Sequence, residues 1–253
     1  MRPNRVKQLW REGKDVRAAW TLTGDPLTAE ILANSGFDAV LIDMQHGFTI
    51  GPERVGTLLQ VISTTSAVPM VRVPWNDPVH MQYVLDAGAY GVIVPLVNTP
   101  EEAARAAGAC RYPPLGYRSM GPNRVEYYAG DDYVRYANDE IICLVMIEHI
   151  DAVGRIDEIA RVPGIDGFFI GPGDLAMSLG LPPGGGAADE RFQAACRRVL
   201  EAAQANGLVA GIAPLSVEDA RRRVDEGFAF CPFGNDWLFL LEGAEASLRA
   251  FGD

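Results

Sequence analysis

Eight short apolar runs alternate with helix-like segments along this chain of 253 residues. A continuous apolar run of this length is typical of a strand buried on both faces, as in a parallel sheet. The predicted strands cover residues 16–21, 37–43, 68–73, 91–94, 141–147, 166–170, 208–212 and 228–232. This α/β alternation favours a (β/α)₈ barrel, or TIM barrel, forming a single domain over residues 1–253. A doubly wound open sheet is the alternative, but the TLTGDP segment after the first strand lacks its usual glycine fingerprint.

Helix signals lie between the strands and at both ends of the chain. The predicted helices cover residues 1–14, 26–35, 52–62, 77–87, 99–111, 151–160, 189–205, 217–226 and 237–251. The last is an extra C-terminal amphipathic helix, for which exchange between subunits is an alternative to packing on its own barrel. Residues 113–139, rich in Gly, Pro, Arg and Tyr, are predicted to form a long irregular lid or wall. Residues 182–186 are predicted to form a glycine-rich loop.

The composition excludes several classes of partner. A formal net charge of −11 argues against nucleic acid and against an anionic membrane surface. No apolar run is long enough to span a bilayer, and no signal peptide is recognisable at the start of the chain. The four cysteines form no CxxC pair, which favours reduced, buried thiols in a cytoplasmic protein.

The chain has only two lysines, Lys7 and Lys14, and both precede the first predicted strand. A Schiff-base enzyme needs a lysine inside its pocket, and a P-loop needs one directly after its glycines. Neither chemistry is therefore expected in the body of this protein.

Catalytic groups of such barrels lie where strands end at their carboxyl side. The residues at these ends are Trp20, Asp43, His46, Arg72, Pro95, Glu148, Gly171, Pro172, Gly173, Asp174, Ala213 and Pro214. The apolar runs IICLVMIE and IDGFFIGPGDL each deliver one acid, Glu148 and Asp174, to the same edge of the sheet. Two hard oxygen donors side by side suit a divalent metal ion. From the residues alone, both acids could instead be salt-bridged rim residues, and His46 could be an ordinary loop histidine.

Six motifs occur in order along nearly the whole chain: DxxHG, VRVPWNDP, DAGAYGVIVP, RYPPLGYR, MIE and GPGDL. In this order and spacing they resemble the metal-dependent pyruvate aldolases of the HpcH/HpaI family. That family includes 4-hydroxy-2-oxoheptanedioate aldolases and 2-keto-3-deoxy-sugar-acid aldolases. The resemblance implies a class II carbon–carbon lyase. Such an enzyme reversibly cleaves a 4-hydroxy-2-oxo acid to pyruvate and an aldehyde through a metal-bound pyruvate enolate.

The resemblance also implies roles for individual residues. Glu148 and Asp174 would ligate the metal, which could be Mg²⁺, Mn²⁺ or Co²⁺. Arg72 would stabilise the enolate oxygen, and His46, oriented by Asp43, would act as general acid and base. The backbone N–H groups of Gly173 and Asp174 would hold the substrate carboxylate, in a pocket to which Trp20, Gly171 and Pro172 also belong.

Family members are typically hexamers, which implies a homohexamer with Asp86 at a subunit boundary near a neighbouring active site. The family commonly has Glu where this chain has Gln45, Gln where it has Met146, and Ala or Ser where it has Gly173. These departures affect the expected substrate preference more than the expected metal site.

The aldehyde is expected to be recognised by residues 113–139 and by the neighbouring subunit. The side chains considered for this role are Arg118, Arg124 and the tyrosines of that region, with Tyr127 and Tyr128 serving either packing or substrate contact.

Two other functions remain open from the sequence. A malyl- or citramalyl-CoA-type lyase would share the metal and the arginine, but it would need a basic surface for the CoA phosphates. A non-catalytic barrel that binds a keto acid is the other alternative, and the complete set of polar strand-end residues argues against it.

Overall fold

The computed structural model describes residues 1–182 and 185–252, and its centre is one parallel sheet. The strands are β1 (Ala18–Thr21), β2 (Ala39–Asp43), β3 (Val68–Arg72), β4 (Gly91–Val94), β5 (Ile142–Met146), β6 (Gly167–Ile170) and β7 (Val209–Ile212). They pair in chain order from β1 to β7, and every pair is parallel. All carboxyl ends therefore lie along one edge of the sheet. The first seven predicted strands are confirmed, although most are shorter by one or two residues.

The eighth predicted strand, residues 228–232, is wrong as a continuous strand. Phe230 forms only isolated parallel bridges, to Val16 and to Gly211. Residues 228–234 nevertheless hydrogen-bond to both edge strands: the N–H of Ile212 donates to the C=O of Phe230 (3.0 Å), and the N–H of Trp20 donates to the C=O of Gly234 (3.2 Å). Regular pairing is interrupted because Pro232 has no N–H to donate and Gly234 has a φ of 75°.

Helices cover both chain ends and the connections between strands. They are α1 (Arg5–Arg11), α2 (Pro26–Asn34), α3 (Pro52–Ile62), α4 (Pro78–Asp86), α5 (Pro100–Cys110), α6 (Val125–Ala129), α7 (Tyr133–Glu140), α8 (Ile150–Gly154), α9 (Ile156–Ala160), α10 (Pro172–Ser178), α11 (Glu190–Ala205), α12 (Val217–Glu226) and α13 (Asp236–Phe251). The predicted cap at Thr99 is a full capping box with Glu102. The single helix predicted over 151–160 is two short helices, and α10 was not predicted.

The prediction of an irregular region over residues 113–139 is wrong, because α6 and α7 lie there. This connection follows α5 and precedes β5, so it begins and ends at the amino edge of the sheet. It is therefore on the opposite side from the strand ends that carry the candidate site residues. Of the predicted loop 182–186, residues 183–184 lie outside the described part of the chain, and residues 185–188 form a 3₁₀ turn.

The strands are buried on both faces, as their continuous apolar sequences predict. All four cysteines are buried and free, as predicted. None of the helices in the described ranges is long and apolar enough to cross a membrane.

Candidate active site

An arginine–aspartate pair joins the carboxyl ends of β2 and β3. Asp43 and Arg72 are register partners in the sheet, so their side chains emerge side by side. Arg72 donates from Nε to Oδ1 of Asp43 (3.0 Å) and from Nη2 to Oδ2 (2.5 Å), and Asp43 is only 1% exposed. The guanidinium also lies 4.9 Å from the centre of the Trp20 ring. This bidentate contact fixes the orientation of the Arg72 guanidinium. Its Nη1 has no hydrogen bond among the described contacts.

Asp43 also shapes the loop that carries His46. Its Oδ1 accepts the backbone N–H groups of Gln45 (3.0 Å) and His46 (3.1 Å). Gly47 closes the turn, where a Cβ would lie 2.2 Å from the C=O oxygen of Asp43. The predicted pairing of Asp43 with the imidazole is not among the contacts of the described residues, and His46 is exposed. Asp43 thus positions His46 through its backbone.

Glu148 follows β5 and is almost completely buried, at 2% exposure. Its Oε1 accepts the backbone N–H of Leu96 (2.7 Å), a residue just beyond β4 with a φ of 53°. Burial raises the pKa of Glu148 to about 6, and the negative charge of Asp174 adds to the rise. The Leu96 hydrogen bond and the charge of Arg72 act in the opposite direction. The sequence did not predict this role of Leu96, because almost every residue type has a backbone N–H group that could donate this bond.

Asp174 lies in the first turn of α10, directly after β6, and it is exposed. Gly171, at the end of β6, lets Glu148 approach closely, because a Cβ at Gly171 would lie 2.3 Å from Oε2 of Glu148. A Cβ on Gly173 would meet nothing within 4 Å, so this part of the backbone faces open space. Pro172 is the first residue of α10.

The donor set fits a divalent metal ion. Within residues 1–182 and 185–252, no group of three or more His, Cys, Asp and Glu side chains is placed to hold a metal. Glu148 and Asp174 supply two carboxylates, and Arg72, whose charge acts on Glu148, is already bound by Asp43. Two hard anionic donors without a cation of their own suit Mg²⁺ or Mn²⁺, which commonly use few carboxylates and leave positions for water or substrate.

Comparison with known proteins identifies the relatives of this chain. Residues 18–242 match the family model described as HpcH/HpaI aldolase/citrate lyase. The chain belongs to the HpcH/HpaI family. The matched range contains every candidate site residue, so the predicted resemblance is confirmed.

Several HpcH/HpaI relatives cover nearly the whole chain. A hydroxypyruvate/pyruvate aldolase of Rhizorhabdus wittichii is 42% identical over 95% of this chain and 96% of its own length. A 4-hydroxy-2-oxo-heptane-1,7-dioate aldolase of Salmonella dublin is 35% identical, covering 98% of this chain and 95% of that protein. A solved HpcH/HpaI aldolase/citrate lyase family structure from Burkholderia cenocepacia has a TM-score of 0.90 at 30% identity, covering 99% of this chain and all of that one.

Two departures from the HpcH/HpaI pattern lie at the site. Met146 places its methyl group 2.9 Å from where a Cβ of Gly171 would be, so an apolar contact lies where the resemblance implied a glutamine. The Oε1 atom of Gln45 is buried and has no hydrogen-bond partner among the described residues.

The arginines proposed to recognise the aldehyde lie elsewhere. Arg118 is 1% exposed, bonded to Asp86 (2.6 Å) and to the hydroxyl of Tyr133 (2.8 Å). Arg124 donates to the C=O of Ala87 (2.8 Å), in the turn that leads into β4 from its amino side. Both guanidinium groups hold the amino edge of the sheet together, so their prediction as substrate contacts within this subunit is wrong.

The two tyrosines considered for packing or substrate contact differ in their surroundings. Tyr128 packs edge-on against Tyr90 with a centroid distance of 4.9 Å, whereas Tyr127 is 93% exposed. Tyr90 immediately precedes β4, so Tyr128 serves packing at the amino edge.

Proposed function

We propose that the protein is a divalent-metal-dependent, class II pyruvate aldolase that reversibly cleaves a 4-hydroxy-2-oxo acid to pyruvate and an aldehyde. The observation that carries this proposal is the grouping of Glu148, Asp174 and Arg72 at one edge of the sheet, where no lysine is available. Lys7 binds Asp166 (2.7 Å) at the amino edge, and Lys14 binds Glu12 (2.6 Å). The family relationship and the names of the relatives support the same carbon–carbon lyase chemistry.

The chain's own residues would divide the work as follows. A divalent cation (Mg²⁺, Mn²⁺ or Co²⁺) on Glu148 and Asp174 would polarise the 2-oxo group as a Lewis acid. The free Nη1 of Arg72 would donate to the oxygen on which negative charge develops, and Asp43 holds the guanidinium so that little reorganisation is needed. His46 would remove and return the proton of the hydroxyl group on the aldehyde side.

The pocket around these groups would complete substrate binding. The N–H groups of Gly173 and Asp174, at the open first turn of α10, would hold the substrate carboxylate. Trp20 would form one wall and keep the Arg72 guanidinium in place. Gly171 and Pro172 shape the turn that brings Glu148 and Asp174 together.

The decisive test separates the two known routes to a pyruvate enolate. Purified protein is given pyruvate or hydroxypyruvate together with a panel of aldehydes, with Mn²⁺ or with EDTA. We expect aldol products only with metal, restored by Mg²⁺, Mn²⁺ or Co²⁺ after chelation, and no covalent adduct with pyruvate and borohydride. Full activity after exhaustive chelation, or a trapped pyruvyl mass on either lysine, would overturn the proposal. Preferential cleavage of malyl- or citramalyl-CoA would assign the CoA-lyase alternative.

We also propose that the chain closes a complete (β/α)₈ barrel and assembles as a homohexamer. Helix α13 buries only Asp236, and its apolar side chains include Leu240 and Leu248, which are 71% and 72% exposed. Covering them by exchange or docking of α13 between subunits would remove this surface from water, and Asp86 would lie at a subunit boundary. Light scattering should give about six times the chain mass of 27.4 kDa. A monomer at micromolar concentration would refute the assembly without affecting the assigned chemistry.

A further inference from the structure

We infer that Asp236, the first residue of α13, is a positioning residue that fixes the loop carrying His46. This inference rests on the proposed function, in which His46 is the acid and base. The start of the C-terminal helix would then contribute to catalysis indirectly. Asp236 itself would not touch the substrate or the metal.

Asp236 is a buried carboxylate whose hydrogen-bond partners are all neutral. It is 7% exposed, and both of its oxygens accept bonds from residues between the end of β1 and the first turn of α2. Oδ1 accepts the N–H of Leu22 (2.9 Å), and Oδ2 accepts the hydroxyls of Thr21 (2.8 Å), Thr23 (2.5 Å) and Thr28 (3.1 Å). Burial alone would raise its pKa, but these hydrogen bonds outweigh burial and lower it. The charged form is therefore the one built into the fold.

The segment held by Asp236 in turn holds the far side of the His46 loop. The C=O of Leu22 accepts the N–H of Phe48 (2.8 Å), and the C=O of Thr23 accepts the hydroxyl of Thr49 (3.1 Å). The Phe48 ring also lies 6.5 Å from the ring of Trp237, the residue after Asp236. Two backbone carbonyls and one aromatic contact thus connect the start of α13 to the two residues that follow Gly47.

These contacts matter because His46 has no side-chain anchor among the described residues. On its near side, the loop is fixed by Asp43 through the backbone N–H of His46 (3.1 Å). On its far side, it depends on the segment that Asp236 organises. An imidazole placed only by its backbone moves when either side is released, and a displacement of about 1 Å can lower a rate roughly 10²-fold.

The test compares two substitutions at the same position. Asp236→Ala removes both carboxylate oxygens, and we expect kcat for aldol addition of an aldehyde to pyruvate to fall about 10- to 100-fold, with the KM for pyruvate changed less than about two-fold. Pyruvate binding is spared because Arg72 keeps its own bidentate contact with Asp43. Asp236→Asn should lose much less activity. Its oxygen can still accept the backbone N–H groups on the Oδ1 side, and its NH₂ group can donate to two of the three threonine hydroxyls, which rotate to accept.

Amide hydrogen exchange on the metal-free protein gives a readout that does not depend on activity. In Asp236→Ala, peptides covering residues 21–28 and 44–50 should exchange faster than in the wild type, while β5 and β6 stay protected. Thr49→Val removes only the outer contact and should give a smaller effect in the same direction, which keeps the idea testable if Asp236→Ala does not fold.

Asp38 provides a matched control. It is also a buried carboxylate, at 5% exposure, but it binds Arg5 and Arg17 at the amino end of β2. Asp38→Ala should lower thermal stability without changing kcat. Wild-type kcat and unchanged exchange of residues 44–50 in Asp236→Ala would overturn the inference. An inactive wild type would instead refute the proposed function, and the exchange result would still decide the role of Asp236.

Discussion

Replacing Glu148 by glutamine should stabilise the metal-free protein at neutral pH. The pKa of Glu148 is raised from 4.5 to about 6, first by burial and then by the charge of Asp174. Between these two values the native state binds more protons than the unfolded state, so the contribution of Glu148 to the free energy of unfolding falls as pH rises. Above pH 6 the ionised group destabilises the native state by about 2 kcal/mol, since one pKa unit corresponds to about 1.4 kcal/mol.

Glutamine removes this charge but keeps an oxygen that can accept the N–H of Leu96. Metal-free Glu148→Gln should therefore exceed the wild type in unfolding free energy by about 2 kcal/mol at pH 7.5, with the difference vanishing near pH 4.5. The metal should reverse this order. A divalent ion binds the native wild type and stabilises it by mass action, while the variant has lost one anionic ligand.

Urea unfolding at fixed protein concentration measures both effects. EDTA-treated wild type and variant are unfolded at pH 4.5 and pH 7.5, and the experiment is repeated with Mn²⁺ at pH 7.5. Two observations would refute the reasoning. One is equal stability of the metal-free proteins at both pH values. The other is equal stabilisation of wild type and variant by Mn²⁺, which would mean that Glu148 is not a metal ligand.

Four further substitutions test the geometry of the site. Gly171→Ala would place a methyl carbon 2.3 Å from Oε2 of Glu148, so we expect metal affinity to fall about 10- to 100-fold. Gly173→Ala is the control: its methyl group would face open space, so metal affinity should change at most a few-fold. Isothermal titration with Mn²⁺ compares the two, and equal affinities would contradict the close contact. Arg72→Lys should slow exchange of the pyruvate methyl protons with D₂O by about 10²-fold, because lysine cannot reproduce a planar fork; undiminished exchange, followed by NMR, would remove Arg72 from the mechanism. His46→Ala should keep pyruvate affinity but lose aldol cleavage by about 10²-fold in steady-state assays, and a near wild-type rate would make His46 an ordinary loop residue.

Most of the sheet could be predicted from sequence because strands buried on both faces leave continuous apolar runs. The eighth strand could not be predicted correctly, since the run at 228–232 is apolar but Pro232 and Gly234 interrupt its hydrogen bonding. The region 113–139 misled for a related reason. Its arginines and tyrosines have the composition of a binding surface, yet Arg118 is buried in an ion pair with Asp86. Composition alone does not distinguish a charge that meets a ligand from one that meets a neighbour.

The site was predictable where strand ends fix side chains and less so where loops do. The register that sets Asp43 beside Arg72 follows from two adjacent parallel strands. The contact of Asp43 with the backbone of His46, rather than with its imidazole, depends on the turn at Gly47. The N–H of Leu96 and the acceptor role of Asp236 depend on tertiary contacts that no local pattern records.

The bond between Thr21 and Asp236 joins residues 215 positions apart. All proposed ligands and catalytic groups lie between Trp20 and Asp174, so they are synthesised well before Asp236. The closing of such a distant contact carries a large entropy loss and belongs among the later steps of folding. We therefore expect a nascent chain that ends before residue 236 to hold every chemical group of the site but to lack the contacts that fix the His46 loop.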